Sequence, residues 1–325
     1  MTRFSYSRLL AGVALAAAAA APQAATFPDR PVTLVVPYAP GGSTDNLARS
    51  LAQHMGQAMG QPVVVENKPG GNTMIGASHV ARAPADGYTV FMGSIASMVL
   101  NPMLYRQLSY DPDAQLRTVA ILAEVPLVLV VNPSLPVNSV AELVAYDKAN
   151  PGKLNFASVG KGNPIHLAAE MLKTRAQMTA QHVPYNGSAP ALTGLMGNDV
   201  QFMMDVVSTS LPLIQGGKLK ALAVASAERL PALPDVPTLA ESGYPGYQAA
   251  TWFGLVVPAG TPPEVSARLR DAAHQALGDS TFQDTFNAQG LFVQKPMAAD
   301  QIPRYVEADK QRWGAIIRDN DIRLD

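Results

Sequence analysis

Residues 32–45, with the sequence VTLVVPYAPGGSTD, decide the fold. The run 32–36 is rich in β-branched residues, which favours a β-strand. From residue 44 to residue 59, leucine and methionine side chains recur at every fourth position, which predicts an amphipathic helix. A strand that passes through a short glycine-containing connection into a helix is half of a βαβ unit. The stretch therefore indicates an α/β protein.

Strands and helices continue to alternate along the chain. A strand at 63–65, a helix at 72–82 and a strand at 88–92 complete a β-α-β-α-β series, which predicts a parallel, doubly wound sheet. A second series has predicted strands at 127–131, 154–157, 200–204, 219–224 and 253–257. The helices predicted with it lie at 140–149, 165–174, 190–196, 263–277 and 301–318. The expected architecture is two α/β units, each a mostly parallel sheet flanked by helices.

The length and the charge balance restrict the class of protein. Single hydrophobic cores stop growing at about 250–300 residues, so a chain of 325 residues is expected to form two lobes. With 24 Lys and Arg residues against 25 Asp and Glu residues, nucleic acid is not an expected partner. The chain contains no cysteine, which excludes thiol catalysis, cysteine-ligated metals and disulfides.

The N-terminus has the pattern of a secretory signal peptide. Arg3 and Arg8 precede an alanine-rich apolar run at 9–21, and small residues follow it. The run is too short to cross about 30 Å of hydrocarbon. We expect residues 1–25 to be a signal peptide, cleaved near Ala24 or Ala25, and the mature protein to lie in the periplasm. A soluble alanine-rich helix is the competing interpretation.

The motifs of several enzyme classes are absent from the sequence. There is no G-x-S-x-G, no phosphate-binding P-loop and no H-E-x-x-H motif. The five histidines lack the spacing of metal ligands; they are His54, His79, His166, His182 and His274. We expect a binding protein without a catalytic residue, a metal or a cofactor. An exported enzyme that acts on a carboxylate stays as an alternative, because related bilobal folds host catalysis.

Three strand-to-helix connections have the composition of anion-binding loops. They are residues 37–45, 158–164 and 185–190, and each contains glycine beside polar residues. The first N–H groups of a helix attract an anion, and ligands of open α/β sheets bind beyond the carboxyl ends of the strands. The loops together predict a site for a small carboxylate. For the first loop, an ordinary turn with Ser43 or Thr44 as the helix N-cap is the competing interpretation.

Other side chains near these loops also have more than one interpretation. Asp205 directly follows an apolar strand, where it can orient the loops, receive a ligand ammonium or cap the next helix. Tyr38 and Trp252 either wall a cleft or lie in the core. The candidate ligand-binding residues are Tyr38, Pro40, Gly41, Gly42, Ser43, Asp45, Ser94, Ser158, Gly162, Asn163, Tyr185, Gly187, Ser188, Asp205 and Trp252.

An ordered set of motifs gives the chain a resemblance to a known family. The motifs are PYAPGGSTD at 37–45, VENKPGG at 65–71, ADGYT at 85–89, VPYNGSAPA at 183–191, LPDVPT at 233–238 and WFGLVVPAGTP at 252–262. In this order they resemble the substrate-binding proteins of tripartite tricarboxylate transporters, also called Bug receptors. The resemblance covers almost the whole mature chain.

The resemblance implies a type II periplasmic-binding-protein fold with a cleft between two lobes. Lobe one would comprise residues 26–125 with 250–325, and lobe two residues 126–249. It further implies a carboxylate ligand held by the loops at 38–45, 158–163 and 185–188, with Asp205 near the pocket. Many relatives have Ser or Thr where this chain has Asn163. A monomer would present its ligand to a permease with a large and a small subunit; a sensory receptor that docks on a membrane kinase is the alternative.

Overall fold

The structure, a computed structural model, describes residues 27–185, 187–319 and 324. The predicted signal peptide at 1–25 lies outside the described residues. Ten strands form one continuous arrangement in the order β2-β1-β3-β9-β4-β7-β5-β6, and β8 and β10 pair with β4. The strands are β1 (Val32–Val36), β2 (Val63–Asn67), β3 (Thr89–Ser94), β4 (Leu116–Val131), β5 (Asn155–Ser158), β6 (Gln181–Pro184), β7 (Phe202–Val206), β8 (Lys220–Val224), β9 (Ala250–Pro258) and β10 (Phe292–Val293).

Helices connect most of these strands. They are α1 (Ser43–Met59), α2 (Met74–Ala81), α3 (Asn101–Leu104), α4 (Pro112–Gln115), α5 (Val140–Ala149), α6 (Pro164–Ala176), α7 (Ser188–Met196), α8 (Val207–Gln215), α9 (Pro263–Gly278), α10 (Ser280–Asn287) and α11 (Ile302–Asp319), with a π-helical turn at Ala96–Leu100. Within the described part of the chain, no helix is both long enough and apolar enough to cross a membrane.

The predicted α/β architecture is confirmed, and its parallel order holds within two groups of strands. Strands β2-β1-β3 are parallel, and so are β6-β5-β7. Strand β9 runs antiparallel to β3 and β4, and β4 runs antiparallel to β7, β8 and β10. The sheets are mixed, because β4 and β9 run against the direction of their neighbours.

Strand β4 belongs to two half-sheets. Its residues 116–126 pair with β9, in the first half-sheet, and its residues 127–131 pair with β7 and β8, in the second. Pro126 stands at the change of partner, opposite Ala250. A proline has no N–H to donate to a ladder, so it suits a point where pairing passes from one sheet to the next.

Helices pack on the half-sheets and bury an extensive apolar core. On the first half-sheet, Leu47 and Leu51 of α1 lie in one cluster with Leu269 of α9 and with the strands β1 and β9. A second cluster continues from the first half-sheet into the second and includes Trp252 and Trp313. The apolar residues at every fourth position, which predicted α1 from the sequence, thus form one buried face of this helix.

Candidate functional site

Parallel pairing brings the ends of three strands together in each half-sheet. In the first half-sheet Val36 pairs with Asn67, so the first loop (37–42) begins beside the end of β2. In the second, Ser158 pairs with Pro184, so the second loop (159–163) and the third loop (185–187) leave side by side. The backbone N–H of Tyr185 donates to the carbonyl of Ser158 at 2.9 Å. The carboxyl edges predicted to carry the site are therefore formed by the strand register.

The two carboxyl edges face each other at Gly162. This residue is buried, with φ of +75°, and a Cβ placed on it would overlap Cδ1 of Leu324 and lie 3.0 Å from Cδ1 of Leu104 and 3.6 Å from Nδ2 of Asn72. Leu104 and Asn72 follow β3 and β2 of the first half-sheet. The second loop thus contacts the opposite half-sheet, and its position leaves no room for a side chain at residue 162.

Asp45, in the first turn of α1, stabilises the first loop by hydrogen bonds. Its Oδ2 accepts from the backbone N–H of Gly41 at 2.9 Å and from Nε of Arg49 at 2.8 Å, and its Oδ1 accepts from Nδ2 of Asn67 at 2.9 Å. Burial by itself raises the pKa of Asp45, but these hydrogen bonds outweigh it and hold the pKa below its ordinary value. The side chain is only 2% exposed, so this carboxylate organises the loop and does not face solvent.

The first loop leads into a helix whose N-terminus is not capped by a side chain. Helix α1 begins at Ser43 with Gly42 as its N-cap, and no side chain caps it. The N-cap expected from an ordinary turn, Ser43 or Thr44, is therefore not observed. Pro40, Gly41 and Gly42 are exposed. The first N–H groups of the helix, with the positive end of its dipole, are available to an anion.

Tyr38 and Ser94 link this loop to the end of β3. The Tyr38 hydroxyl donates to Oγ of Ser94 at 3.1 Å, and its ring packs edge-on against Phe253 with centroids 6.2 Å apart. Ser94 is fully buried. Tyr38 is half-buried and stands in the first loop, four residues before the N-cap Gly42.

The second loop uses most of its polar groups internally. Asn163 is the N-cap of α6, where its Oδ1 accepts from the N–H of Ile165 at 3.1 Å, and Pro164 occupies the first helical position as predicted. The N–H of Gly162 donates to Nδ1 of His166 at 3.3 Å. Among the described residues, Nδ2 of Asn163 has no hydrogen-bond partner, so this amide is a donor that the second loop can offer to a ligand, beside the exposed ammonium group of Lys161.

A histidine pair that was not predicted from the sequence supports the second loop. The rings of His166 and His182 lie 4.1 Å apart, and both stack on Phe156. Nε2 of His182 lies 2.6 Å from Oγ of Ser158, which also donates to the carbonyl of Gly160. Burial lowers the pKa of His166 to about 3 and that of His182 to about 4, so both rings are neutral at pH 7.

Ser158 and His182 are as close together as a catalytic nucleophile and its base, but the serine hydroxyl is not accessible to a substrate. Ser158 is fully buried, and its hydroxyl is fixed by Gly160. The nearest carboxylate to the pair, that of Glu170, lies 3.8 Å from Nε2 of His166 rather than beside His182. The cluster is therefore a support that fixes the second loop.

The third loop delivers a second uncapped helix N-terminus. Gly187, with φ of +126°, is the N-cap of α7, and no side chain caps this helix. A residue with a side chain adopts that backbone conformation only with strain, so glycine is required there. The ring of Tyr185 packs against Gly194 in the same helix.

Asp205 ties the third loop to the end of β7. Its Oδ1 accepts from Ser188 at 2.8 Å, and its Oδ2 accepts from Thr209 at 2.6 Å and from Ser210 at 2.7 Å. The carboxyl group is fully buried, and burial raises its pKa although these hydrogen bonds oppose the change. In this structure the carboxylate therefore orients the first turns of α7 and α8.

Trp252 belongs to the core rather than to the loops. It is 1% exposed, and its Nε1 donates to Oδ2 of Asp309 in α11 at 2.7 Å. Successive side chains of a strand point to opposite faces, and Phe253 is the neighbour that packs on Tyr38. The core interpretation of Trp252 is the one that the structure supports.

Two cavities lie away from the three loops. One, of about 390 Å³, is lined by residues of α5, β8 and the segment 235–242. The other, of about 100 Å³, lies between Trp252, Glu124 and Asp309. No group of three or more metal-ligating side chains occurs among the described residues. The feature that can act on a ligand is thus the pair of uncapped helix N-termini, one on each half-sheet.

Comparison with known sequences gives a family match over most of the chain. Residues 47–322 match the tripartite tricarboxylate transporter family receptor. The protein BugT of Bordetella pertussis is 38% identical over 315 residues, which are 96% of this chain and 96% of BugT.

Solved structures agree with this match. Rpa4515 of R. palustris with adipate has a TM-score of 0.87 and 37% identity, covering 91% of this chain and 99% of that one. MatC (Rpa3494) of Rhodopseudomonas palustris, with bound malate, has a TM-score of 0.83 and 34% identity, covering 90% of this chain and 100% of that one. The fold is that of a periplasmic binding protein.

Proposed function

This chain belongs to the family of tripartite tricarboxylate transporter receptors, and from that premise we propose that it captures a small carboxylate in the periplasm for a membrane permease. The two uncapped helix N-termini carry the proposal, because they arise from opposite half-sheets and lie at the carboxyl edges. Adipate and malate, bound by the similar proteins Rpa4515 and MatC, make a dicarboxylate the first ligand class to test.

We further propose a division into two lobes, which the path of β4 and β9 supports. We assign residues 26–125 with 250–325 to lobe one and residues 126–249 to lobe two. The change of partner at Pro126 and the start of β9 at Ala250 support these boundaries. The chain would cross between the lobes at Pro126 within β4 and directly before β9, and these two adjacent crossings would form a hinge about which the lobes close on the ligand.

Several weak contacts must act together to hold the ligand. A dissociation constant of 1 µM corresponds to about 8 kcal/mol. One helix N-terminus contributes about 0.3–2 kcal/mol to an anion. The N-termini of α1 and α7, the amide of Asn163 and the ring of Tyr38 are the groups that we assign to the ligand.

A thermal-shift screen of the processed protein tests the proposal. The panel contains linear dicarboxylates of four to six carbons, malate, citrate, amino acids and aromatic acids, and hits are measured by titration calorimetry. Ligand at 100 times its dissociation constant stabilises the native state by about 2.7 kcal/mol. A carboxylate hit that is recovered unchanged after incubation supports a receptor. A flat response to every class, or turnover of the ligand, contradicts the proposal.

Delivery to a permease is the finer part of the proposal. Uptake of the identified ligand into vesicles that contain the large and small permease subunits is expected to require this protein. Vesicles that respond equally with and without it would favour the sensory alternative.

A further inference from the structure

We propose that the hydrogen bond from Ser188 to Asp205 is a specificity filter, which makes the receptor select dicarboxylates that lack an amino group over amino acids of the same chain length. This inference rests on the proposed function, because it concerns the ligand of the same cleft. Its basis is that the acidic groups at the cleft are already satisfied by the protein.

Each carboxylate oxygen of Asp205 already accepts at least one hydrogen bond from the protein, and the group is fully buried, so a ligand ammonium reaches it only by displacing a hydroxyl. Oδ2 accepts from two hydroxyls, those of Thr209 and Ser210, and Oδ1 accepts from the Ser188 hydroxyl. Ser188 is the first residue of α7, directly after the third loop, and it is half-buried. Its hydroxyl is thus the group that separates Oδ1 of the fully buried Asp205 from the uncapped end of α7.

Asp45, the other acidic residue beside these loops, is also buried and hydrogen-bonded within the protein. Asp45 accepts three hydrogen bonds and is 2% exposed. The second and third loops contain no acidic residue in their sequences. The cleft therefore offers N–H donors and helix dipoles, which bind carboxylates, but it offers no anion to an ammonium group.

An α-amino group is consequently costly in this cleft. An ammonium that loses its water without a charged or hydrogen-bonding partner carries a large desolvation penalty, and two positive helix ends add repulsion. Removing the Ser188 hydroxyl frees one lone-pair position on Oδ1, which gives the ammonium an acceptor. The amino acid should gain from this change, whereas the plain dicarboxylate has nothing to gain.

Calorimetry with matched ligand pairs tests the filter. The pairs are succinate and L-aspartate, glutarate and L-glutamate, and adipate and L-2-aminoadipate; the members of each pair differ by one amino group. In the pair with the best-bound dicarboxylate, the wild-type protein is expected to bind that dicarboxylate at least about tenfold more tightly than its amino acid. In Ser188→Ala this ratio is expected to fall at least about fivefold, mainly through tighter amino acid binding.

Two variants serve as controls, and denaturant unfolding verifies that each is folded. Ser188→Thr keeps the hydroxyl and should keep the wild-type ratio. Thr193→Ala removes an exposed hydroxyl of the same helix, one that bonds to the carbonyl of Ala189, and should also keep it. Equal binding of both members by the wild-type protein, or an unchanged ratio in folded Ser188→Ala, overturns the filter. If no carboxylate binds at all, the proposed function fails instead.

Discussion

Replacement of Gly42 by aspartate is predicted to strengthen the fold and weaken the binding of a carboxylate at the same time. Gly42 is the N-cap of α1, with φ of −81° and ψ of 171°, which is extended backbone open to any residue. A Cβ there has 4.0 Å to its nearest neighbour, the carbonyl of Ala39. An aspartate at this position reaches the N–H groups that we assign to the ligand.

The expected magnitudes have opposite signs. An aspartate cap is worth a few tenths of a kcal/mol over glycine, and its charge at the positive helix end adds about 0.3–1 kcal/mol. The unfolding free energy should therefore rise by about 0.5–1 kcal/mol. A ligand carboxylate about 4 Å from the new charge is repelled by about 1–4 kcal/mol, depending on the local dielectric constant. With the lost helix contact, which is worth about 0.3–2 kcal/mol, we expect affinity to fall by about tenfold to 10,000-fold.

Urea unfolding and titration calorimetry with the best-bound member of the dicarboxylate panel measure the two effects. Gly42→Asn is the matched control, since asparagine caps a helix as well as aspartate does but carries no charge. It should share the gain in stability and lose less affinity than Gly42→Asp. If Gly42→Asp binds the ligand as tightly as the wild-type protein, the N-terminus of α1 is not part of the site.

Three further changes test the support of the loops. The pKa of His166 lies at about 3 in the folded protein, whereas an unfolded histidine titrates near 6.5, so the unfolded chain takes up the proton first as pH falls. His166 alone should then lower the stability by about 2 kcal/mol between pH 7 and pH 5, and His182, with its pKa of about 4, adds to the loss; a flat urea midpoint over this range would contradict the neutral pair. Asp45→Asn, which leaves the donors around the buried carboxylate mismatched, should cost about 1–3 kcal/mol in urea unfolding, and a loss under 0.5 kcal/mol would argue against the network. Gly162→Ala should destabilise by about 1–2 kcal/mol through its positive φ and expand the protein in small-angle scattering, since the new methyl group would meet the side chains of Leu324 and Leu104. An unchanged radius would show that the contact between half-sheets does not depend on residue 162.

The repeated strands and helices were predictable because their apolar periods are clear. The 32–36 strand and the helix that ends at residue 59 lie where the pattern placed them. Most of β4 was missed: the predicted strand begins at residue 127, directly after Pro126, whereas the observed strand extends back to Leu116. A proline usually ends a strand, and here it marks a change of partner instead. Local sequence carries no information about which strand stands opposite.

The loops of the site were predictable in position but not in internal bonding. Glycine composition identified the connections after β1, β5 and β6, although β6 itself is too short to show a period. The pairing of His166 with His182 depends on the parallel register of β5 and β6, which brings together residues that are distant in the chain. The hydrogen bonds to Asp205 likewise form only when α7 and α8 are in place, so no residue spacing in the sequence predicts them.

A co-crystal structure with the best-bound dicarboxylate tests the central claim most directly. The ligand is predicted to lie between the half-sheets, with carboxylate oxygens within about 3.2 Å of backbone N–H groups at the starts of both α1 and α7. A ligand that instead occupies the 390 Å³ cavity beside Ser139, or that contacts neither helix N-terminus, would contradict the claim.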